Sequence, residues 1–495
     1  MLTASTVAGD ATVLVGAFAG LAAVLDFVVK VVALGLVPQD RRPSSAWGWL
    51  LLIFFLPFVG VLVFLLIGSP FVDGRRRREQ AEVEPVIRER SRDLPDAFPS
   101  GEVRRWLRSA LVLNRRLGSL PAVAGNRVDL VPDYDDAITQ MAEAVDAARD
   151  FVNVQFYILA HDETTQPFWD AVTRATARGV PVRVLFDHIG TWRTGGYRAL
   201  TRRLDATGAE WHEMLPIHPL RGRWRRPDLR NHRKIVVVDD EVAFTGSQNL
   251  IDAGYHRRGD RRWKELVVRV EGPVVLSLNS VFATDWYVET HERLDHQFVS
   301  REDAQPDADA PGDLICQVLP SGPGFPQENN LRMFNTLIYG ARERLSIASP
   351  YFVPDESLLY AITTAAQRGV AVELFVSERS DQFIVQRAQN SYYDTLLAAG
   401  VRIFRYPAPA VLHSKHLSVD DAVGVIGSSN LDVRSFTLNF EVSLVCTGGD
   451  VVQRLREVED AYRAVSAELT AEQWRGRPLW SRYVDNVMRL TSALQ

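Results

Sequence analysis

Cysteine is nearly absent: Cys316 and Cys446 are the only two in 495 residues. Two thiols cannot build a disulfide framework or a cysteine metal site, so both are expected to be buried and inert. No HExxH or CxxC stretch occurs, and no metal ligand set or cofactor is read from the chain. A basic excess is missing too. The net charge is −5 and the pI about 6.1, which gives no whole-molecule attraction to nucleic acid. Nothing basic precedes the first apolar run, so a cleaved signal peptide is not expected.

What is present is a globular composition, 46% hydrophobic and 24% charged, in a chain long enough for more than one domain. Two apolar runs stand at the N-terminus. Residues 11–37 are apolar except for Asp26 and Lys30, and residues 47–67 carry no charge. Twenty-one helical residues span about 31 Å, the thickness of a hydrocarbon core. A two-span transmembrane hairpin over 11–68 is therefore expected. Asp26 and Lys30 lie four apart, share a helix face and can pair. Arg75, Arg76, Arg77 and Arg78 follow the second run, against Arg41 and Arg42 between the runs. The larger cluster places the long C-terminal part on the cytoplasmic side of a cell membrane.

Residues 69–127 read as a charge-rich connector with a helix near 101–117. Beyond it the chain repeats itself. AVTRATARGVPVRVLFD at 171–187 resembles AITTAAQRGVAVELFVS at 361–377: a helix end, an Arg-Gly stop and an apolar strand. Each is preceded by a short strand, FVNVQFYI at 151–158 and LSIASPYFV at 345–353. The acidic, Pro/Ala-rich stretch 301–313 is the natural joint. Alternating helix and strand predicts an α/β sandwich in each of two lobes, 128–300 and 314–495. A period of about 180 residues is domain-sized, and paired lobes are expected to meet about a pseudo-twofold axis.

The repeat carries its chemistry in one motif. NHRKIVVVDDEVAFTGSQN at 231–249 and LHSKHLSVDDAVGVIGSSN at 412–430 share His, Lys, Asp, Gly, Ser and Asn at one spacing. His232 and Lys234, like His413 and Lys415, lie two apart and point to one face if the segment is extended. Lysine supplies a compact charge for a phosphate oxygen, and Asn249 and Asn430 supply amide donors. Ser247 and Ser428 join them as phosphate-binding candidates, in turns beside the oxyanion rather than as nucleophiles. A two-step displacement at a phosphodiester needs one imidazole to attack and one to protonate the leaving alcohol; one ring cannot do both, so two copies are needed. Each imidazole needs a carboxylate to set its tautomer. Glu265 and Glu441 are the candidates. Asp239 and Asp420 complete the repeated motif as catalytic candidates, and each equally suits a structural salt bridge or turn. His416 has Ile235 as its counterpart and is left out. The basic runs 221–234 and 256–262 suit a surface for anionic headgroups.

At these residues the sequence resembles the phospholipase D superfamily, with HRKIVVVD and HSKHLSVD as its paired HxKxxxxD motifs, followed by GSQN and GSSN. RRPSSAWGWLLLIFFLPFVGVLVFLLIG at 41–68, PYFVPDE at 350–356 and NFEVSLV around Glu441 are similar to bacterial cardiolipin synthases of that type. The resemblance implies two phospholipase D-like lobes and transfer of a phosphatidyl group from one phosphatidylglycerol to another through a phosphohistidine. It makes His232 the nucleophile and His413 the acid and base, with the Lys, Asn and Asp of each motif in the site. Phosphatidylglycerol and other anionic phospholipids are the expected partners, without nucleic acid. A phosphodiesterase using water, or a phosphatidyltransferase with another acceptor, would carry the same motifs.

Overall fold

The computed structural model describes residues 4–39, 43–68, 105–218, 226–255, 262–294, 311–325 and 327–492, with a few isolated positions between them. It divides into two compact units, residues 1–74 with 226–228, and residues 75–225 with 229–495. The arginines that set the expected orientation, about half of the connector and residues 301–310 lie outside the described residues.

The first unit is helical: α1 (Ala4–Leu36), α2 (Pro43–Phe55), α3 (Pro57–Val63) and a π turn at Phe64–Gly68. Phe18–Leu36 of α1 is long and apolar enough to cross a membrane. Within it Lys30 donates to Asp26 at 2.7 Å, the pair that the four-residue spacing predicts. The second run was expected to be one uninterrupted span, and it is instead two shorter apolar helices. Pro57 is the cause: it has no N–H, and its ring pushes against the preceding turn. Leu56 leaves helical geometry at φ −133°, ψ 70°, yet its N–H still reaches Leu52 O at 2.9 Å and Gly60 N–H reaches Leu56 O. The run is kinked, not ended. Ala33, Val37, Ala46, Leu50 and Ile53 pack α1 against α2, small residues among them allowing close approach.

The second unit is built on one continuous sheet. Its strands are β1 (Val123–Val131), β2 (Val152–Phe156), β3 (Val182–Asp187), β4 (Glu210–Met214), β5 (Ile235–Val238), β6 (Val242–Gly246), β7 (Val267–Glu271), β8 (Leu314–Ser321), β9 (Arg344–Ala348), β10 (Ala371–Ser377), β11 (Arg402–Tyr406), β12 (His416–Val419), β13 (Val423–Gly427), β14 (Asn439–Thr447) and β15 (Ala467–Leu469). The spatial order is β15-β11-β10-β9-β12-β13-β14-β8-β1-β7-β6-β5-β2-β3-β4. Read outward from the antiparallel β8–β1 pair, both directions begin with the same sequence of three antiparallel neighbours, a further antiparallel strand and two parallel ones; β15 then adds an antiparallel edge strand on one side only. The two expected sandwiches therefore share a sheet, and the joint between them is a strand pair.

Helices cover both faces. They include α4 (Arg105–Gly118), α5 (Tyr134–Ala147), α6 (Gln166–Ala177), α7 (Val274–Thr290), α8 (Asn329–Gly340), α9 (Glu356–Gln367), α10 (Phe383–Asn390), α11 (Val451–Val465) and α12 (Leu479–Arg489). In β5, Val236 and Val238 pack with Ile138 and Trp169 of α5 and α6, while Ile235 and Val237 pack with Leu278 of α7. Burial on both faces is why IVVV shows no polar alternation. In the other lobe α8 and α9 take the first face and Leu455 of α11 the second. Cys316 and Cys446 are buried there as free thiols.

Asp239 and Asp420 belong to this framework. Asp239 ends β5 at φ 54°, and its carboxylate accepts the N–H groups of Arg149, Asp150 and Phe151. Asp420 ends β12 at φ 49° and accepts those of Arg342, Glu343 and Arg344. Each clamps its hairpin turn to the loop entering β2 or β9, at the strand end opposite the motif histidine. This placement favours the turn reading over the catalytic one: a strand of four residues separates each aspartate from its motif histidine, and backbone N–H groups occupy its oxygens. Asp239→Ala or Asp420→Ala should cost about 2–4 kcal/mol from lost charge-assisted bonds, seen as a lower melting temperature, while the folded fraction turns over normally. A variant that melts like wild type but has no turnover would return the aspartates to the catalytic set.

Candidate active site

Each motif histidine is placed by the other lobe. Arg230–Asn231 runs parallel to Asn439–Phe440, and His232 N–H donates to Phe440 O at 2.8 Å. The next residues along the two chains are His232 and Glu441, whose Nδ1 and Oε2 stand 3.0 Å apart. Ala410–Leu412 likewise runs parallel to Arg262–Lys264, His413 N–H donates to Lys264 O at 2.8 Å, and His413 Nδ1 meets Glu265 Oε1 at 2.7 Å. The two glutamates named from sequence both reach a histidine, and each serves the histidine of the opposite lobe. No local pattern announces this, because the pairings join segments 209 and 148 residues apart.

The cluster is dry. His232, Lys234, Glu265, His413, Lys415 and Glu441 are all buried. Lys234 Nζ donates to His232 O at 2.6 Å and Lys415 Nζ to His413 O at 2.5 Å. Each lysine thus lies on its histidine's side, as the two-residue spacing predicts, and spends one of three donors on the backbone. Burial lowers His232 below the ordinary histidine value despite Glu441 beside it, and lowers His413 to about 4. Burial also brings Lys234 down to about 7 and Lys415 to about 8. Burial pushes both carboxyls up, but the neighbouring imidazole and lysine outweigh it and hold Glu265 and Glu441 below their usual range. At neutral pH both rings are uncharged. A neutral ring that gives its Nδ1–H to a carboxylate keeps a lone pair on Nε2.

The serines have a different task from the one expected. Ser247 Oγ donates to Glu265 at 2.5 Å and takes the Leu266 N–H; Ser428 Oγ donates to Glu441 at 2.5 Å and takes the Val442 N–H. Both hydroxyls are thus engaged with the glutamates and the backbone, which favours an orienting role over the expected contact with phosphate. The asparagines differ from each other. Asn249 accepts the Ile158 N–H and donates to Tyr255 Oη at 3.1 Å. Asn430 is 4% exposed, and its Oδ1 has no hydrogen-bond partner among the described residues.

Four aromatics were missed. Tyr157 lies edge-on to His232 at 5.1 Å. Trp263 and Tyr351 lie edge-on to His413 at 4.6 and 6.2 Å, and Tyr255 stacks on Trp263. A signal for two of them was available: Tyr157 and Tyr351 are each the seventh residue of the repeated segments 151–158 and 345–353. Of the basic runs, residues 221–222, 225 and 256–261 lie outside the described residues. Arg230 is buried on Asp187, and Arg233 is buried on Asp285 and Glu441 O, so these two brace the site rather than a headgroup surface. Among the described residues His188, Glu213 and His218 could by spacing surround a cation. His188 Nδ1 accepts the Ile217 N–H at 3.1 Å, which puts the ring proton on Nε2, the atom that a metal would need. Tyr197 and His218 also bond Glu213, and the cluster reads as a hydrogen-bond network.

Fold and site together define a duplicated α/β protein of the phospholipase D-like class. Residues 141–286 and 334–461 match the family described as cardiolipin synthase, PLD-like domain, and residues 24–69 match the phospholipase D-nuclease N-terminal family. Cardiolipin synthase A of Yersinia pseudotuberculosis serotype O:1b (strain IP 31758) is 36% identical over 475 residues, covering 94% of this chain and 95% of the relative. Cardiolipin synthase A of Yersinia pestis matches to the same extent. The crystal structure of phosphatidylserine synthase from Haemophilus influenzae Rd KW20 has the same fold, with a TM-score of 0.57 at 16% identity over 78% of this chain and 100% of that one. The chain belongs to the cardiolipin synthase family.

The crosswise pairing can be read one histidine at a time by nitrogen NMR of the imidazoles. Glu441→Gln should disturb the His232 tautomer and leave His413 unchanged, and Glu265→Gln the reverse. Each should lower kcat about 10²–10⁴-fold, as loss of an orienting carboxylate does. A disturbance confined to the histidine of the mutated lobe would refute the exchange.

Proposed function

We propose that this chain is a cardiolipin synthase that joins two phosphatidylglycerol molecules and releases glycerol. Family membership and 36% identity over nearly the whole chain support phospholipid phosphatidyl transfer. The observation that carries the mechanism is the pair of buried imidazoles, each backed by a glutamate from the opposite lobe. Equivalent bonds on the two sides, and a strand order that repeats outward from β8–β1, support a pseudo-twofold axis between them.

In the first step His232 Nε2 attacks phosphorus. A P–N bond forms, and the P–O bond to the headgroup glycerol breaks. The departing alkoxide takes its proton from His413 Nε2. In the second step the terminal hydroxyl of another phosphatidylglycerol returns a proton to His413 and attacks phosphorus; the P–N bond breaks and cardiolipin leaves. The choice of His232 as nucleophile follows the family resemblance. His413 is neutral in the empty site, and the arriving phosphodiester anion favours its protonated form. Lys234 and Lys415 face the charge that grows on the nonbridging oxygens, and Asn430 is the better-placed amide for them, since Asn249 is engaged with Tyr255. Glu265 and Glu441 orient the rings.

The purified chain, given phosphatidylglycerol and EDTA, should make cardiolipin and glycerol, and His232→Ala or His413→Ala should not. Labelled phosphatidylglycerol should leave an acid-labile, alkali-stable phosphatidyl adduct that His232→Ala lacks. Phosphatidic acid as the product would mean that water is the acceptor, and another phosphatidyl ester that the acceptor is a different alcohol. Across pH, kcat/KM should fall on the acid side as His232, the nucleophile, protonates and again through about 7–8 as Lys234 and Lys415 lose charge. Lys234→Arg keeps its charge and should move the alkaline limb upward; an unmoved limb would assign it to another group.

The apolar helices and the arginine balance support a membrane enzyme crossing twice, with both lobes on the cytoplasmic side. A cysteine placed at Arg76 should react with an impermeant maleimide only after the membrane is opened.

A further inference from the structure

α12 is turned inside out. Trp480, Tyr483, Val487 and Leu490 follow one another at i, i+3, i+7 and i+10, a single stripe along the helix. That stripe faces outward: the four are 64%, 70%, 37% and 84% exposed, with Leu479 beside them at 79%. The side that faces the protein carries buried Ser481 and Asp485 beside Met488. Buried Asp485 pairs with Arg477 at 2.6 Å and Arg387 at 3.3 Å, and Arg387 also donates to Ser481 Oγ at 2.9 Å. A surface helix ordinarily does the opposite. α10, packed beside α12, adds exposed Phe383 and Ile384. The Arg387 guanidinium lies over the rings of Phe383 and Trp480 at 5.2 and 5.9 Å, joining the two helices into one apolar surface. Contiguous surfaces of this kind on soluble proteins mark interaction sites.

The geometry points to one occupant: α10 and α12 form a platform that lies in the interface of an anionic bilayer and holds the His413 side of the site against the leaflet that contains its lipid. Three observations favour a bilayer. Trp and Tyr with aliphatic neighbours are the composition of the membrane–water boundary. The charge is one-sided, since the only acid of α10 and α12 is the buried Asp485, while Arg482 and Arg489 are exposed and Arg475 precedes them; anionic headgroups complement that set. The platform is also tied to the site. Gln389 of α10 accepts the Phe352 N–H at 2.9 Å, one residue after Tyr351, and Asp381, just before α10, accepts the Tyr351 hydroxyl at 2.8 Å. Tyr351 is the ring beside His413. A helix that settles on a bilayer therefore sets the height of the aromatic wall at the reacting headgroup. This inference needs a lipid substrate, but not a particular acceptor alcohol.

The test uses the full chain in nanodiscs of phosphatidylglycerol and phosphatidylcholine. Tyr483→Cys carries an environment-sensitive fluorophore; the two native thiols are buried and stay unlabelled. Glu457→Cys, exposed on α11 at the other face of the sheet, is the control. The label at 483 should shift to the blue and be quenched by brominated acyl chains at least about threefold more than the label at 457. Equal quenching at both positions overturns the platform. Separately, the W480E/L490E double variant should raise the apparent KM for vesicle phosphatidylglycerol about tenfold and leave kcat in detergent micelles unchanged. If it instead converts a dimer to a monomer by light scattering and position 483 is unquenched, a second copy covers the face and the proposal fails. The quenching readout needs no turnover, so its failure is distinct from failure of the catalytic reading.

Discussion

Two short parallel strand pairs, Arg230–Asn231 on Asn439–Phe440 and Arg262–Lys264 on Ala410–Leu412, carry the rest of the catalytic unit. They bring each imidazole to a carboxylate that its own lobe does not supply. The energetic consequence is strong. Glu441 is fully buried, and a buried carboxylate without a partner costs several kcal/mol. In a separated lobe Glu441 would lose His232 and Lys234, and Glu265 would lose His413 and Lys415. Each lobe thus holds half of two charge balances, and both close only when the lobes are joined. The shared sheet, sealed at β1 and β8, makes the joint permanent.

That balance explains how the site can be both buried and ready for an anion. Two carboxylates and two lysines offset one another, while the imidazoles stay neutral. The lysines are held on the carbonyls of His232 and His413, so they are in place before a phosphate arrives and need little reorganisation. Ser247 fixes the second carboxylate oxygen of Glu265, whereas Ser428 shares Glu441 Oε2 with His232 and Asn439 donates to Oε1. Asp239 and Asp420 do corresponding work at the far ends of β5 and β12, where backbone N–H groups rather than substrate take their charge.

The repeat made most of this legible. Equal spacing of His, Lys and Asn in two copies gave the lobes, the sandwich class and the residues that converge. What spacing could not give was direction. Asp239 is seven residues from His232, and an extended chain puts that distance at roughly 20 Å, so a shared motif concealed two sites of different purpose. Ser247 and Asn249 stand two apart after a Gly turn, yet one meets a glutamate and the other a tyrosine. The crosswise exchange was hidden for a simpler reason: sequence patterns report neighbours along the chain, and these neighbours belong to different lobes. In the second apolar run, composition counted twenty-one residues correctly for length but did not weigh Pro57, whose missing N–H bends the helix.

The two halves are alike in their histidine–glutamate bonds and unlike in their walls. A symmetric pair of imidazoles would have equal claims to attack and to protonate. His232 has Tyr157 at its edge and shares its Nδ1 proton between Glu441 and the Ser428 carbonyl. His413 sits against Trp263 and Tyr351 and bonds Glu265 alone at the shorter distance of 2.7 Å. The next residue, Ser414, is bonded to the buried His416, where the first lobe has Arg233 and Ile235. Trp263 stands two residues before Glu265, at the strand position that Asn439 holds before Glu441. One side chain that differs between two copies of a duplicated fold thus gives one imidazole an aromatic wall that the other lacks.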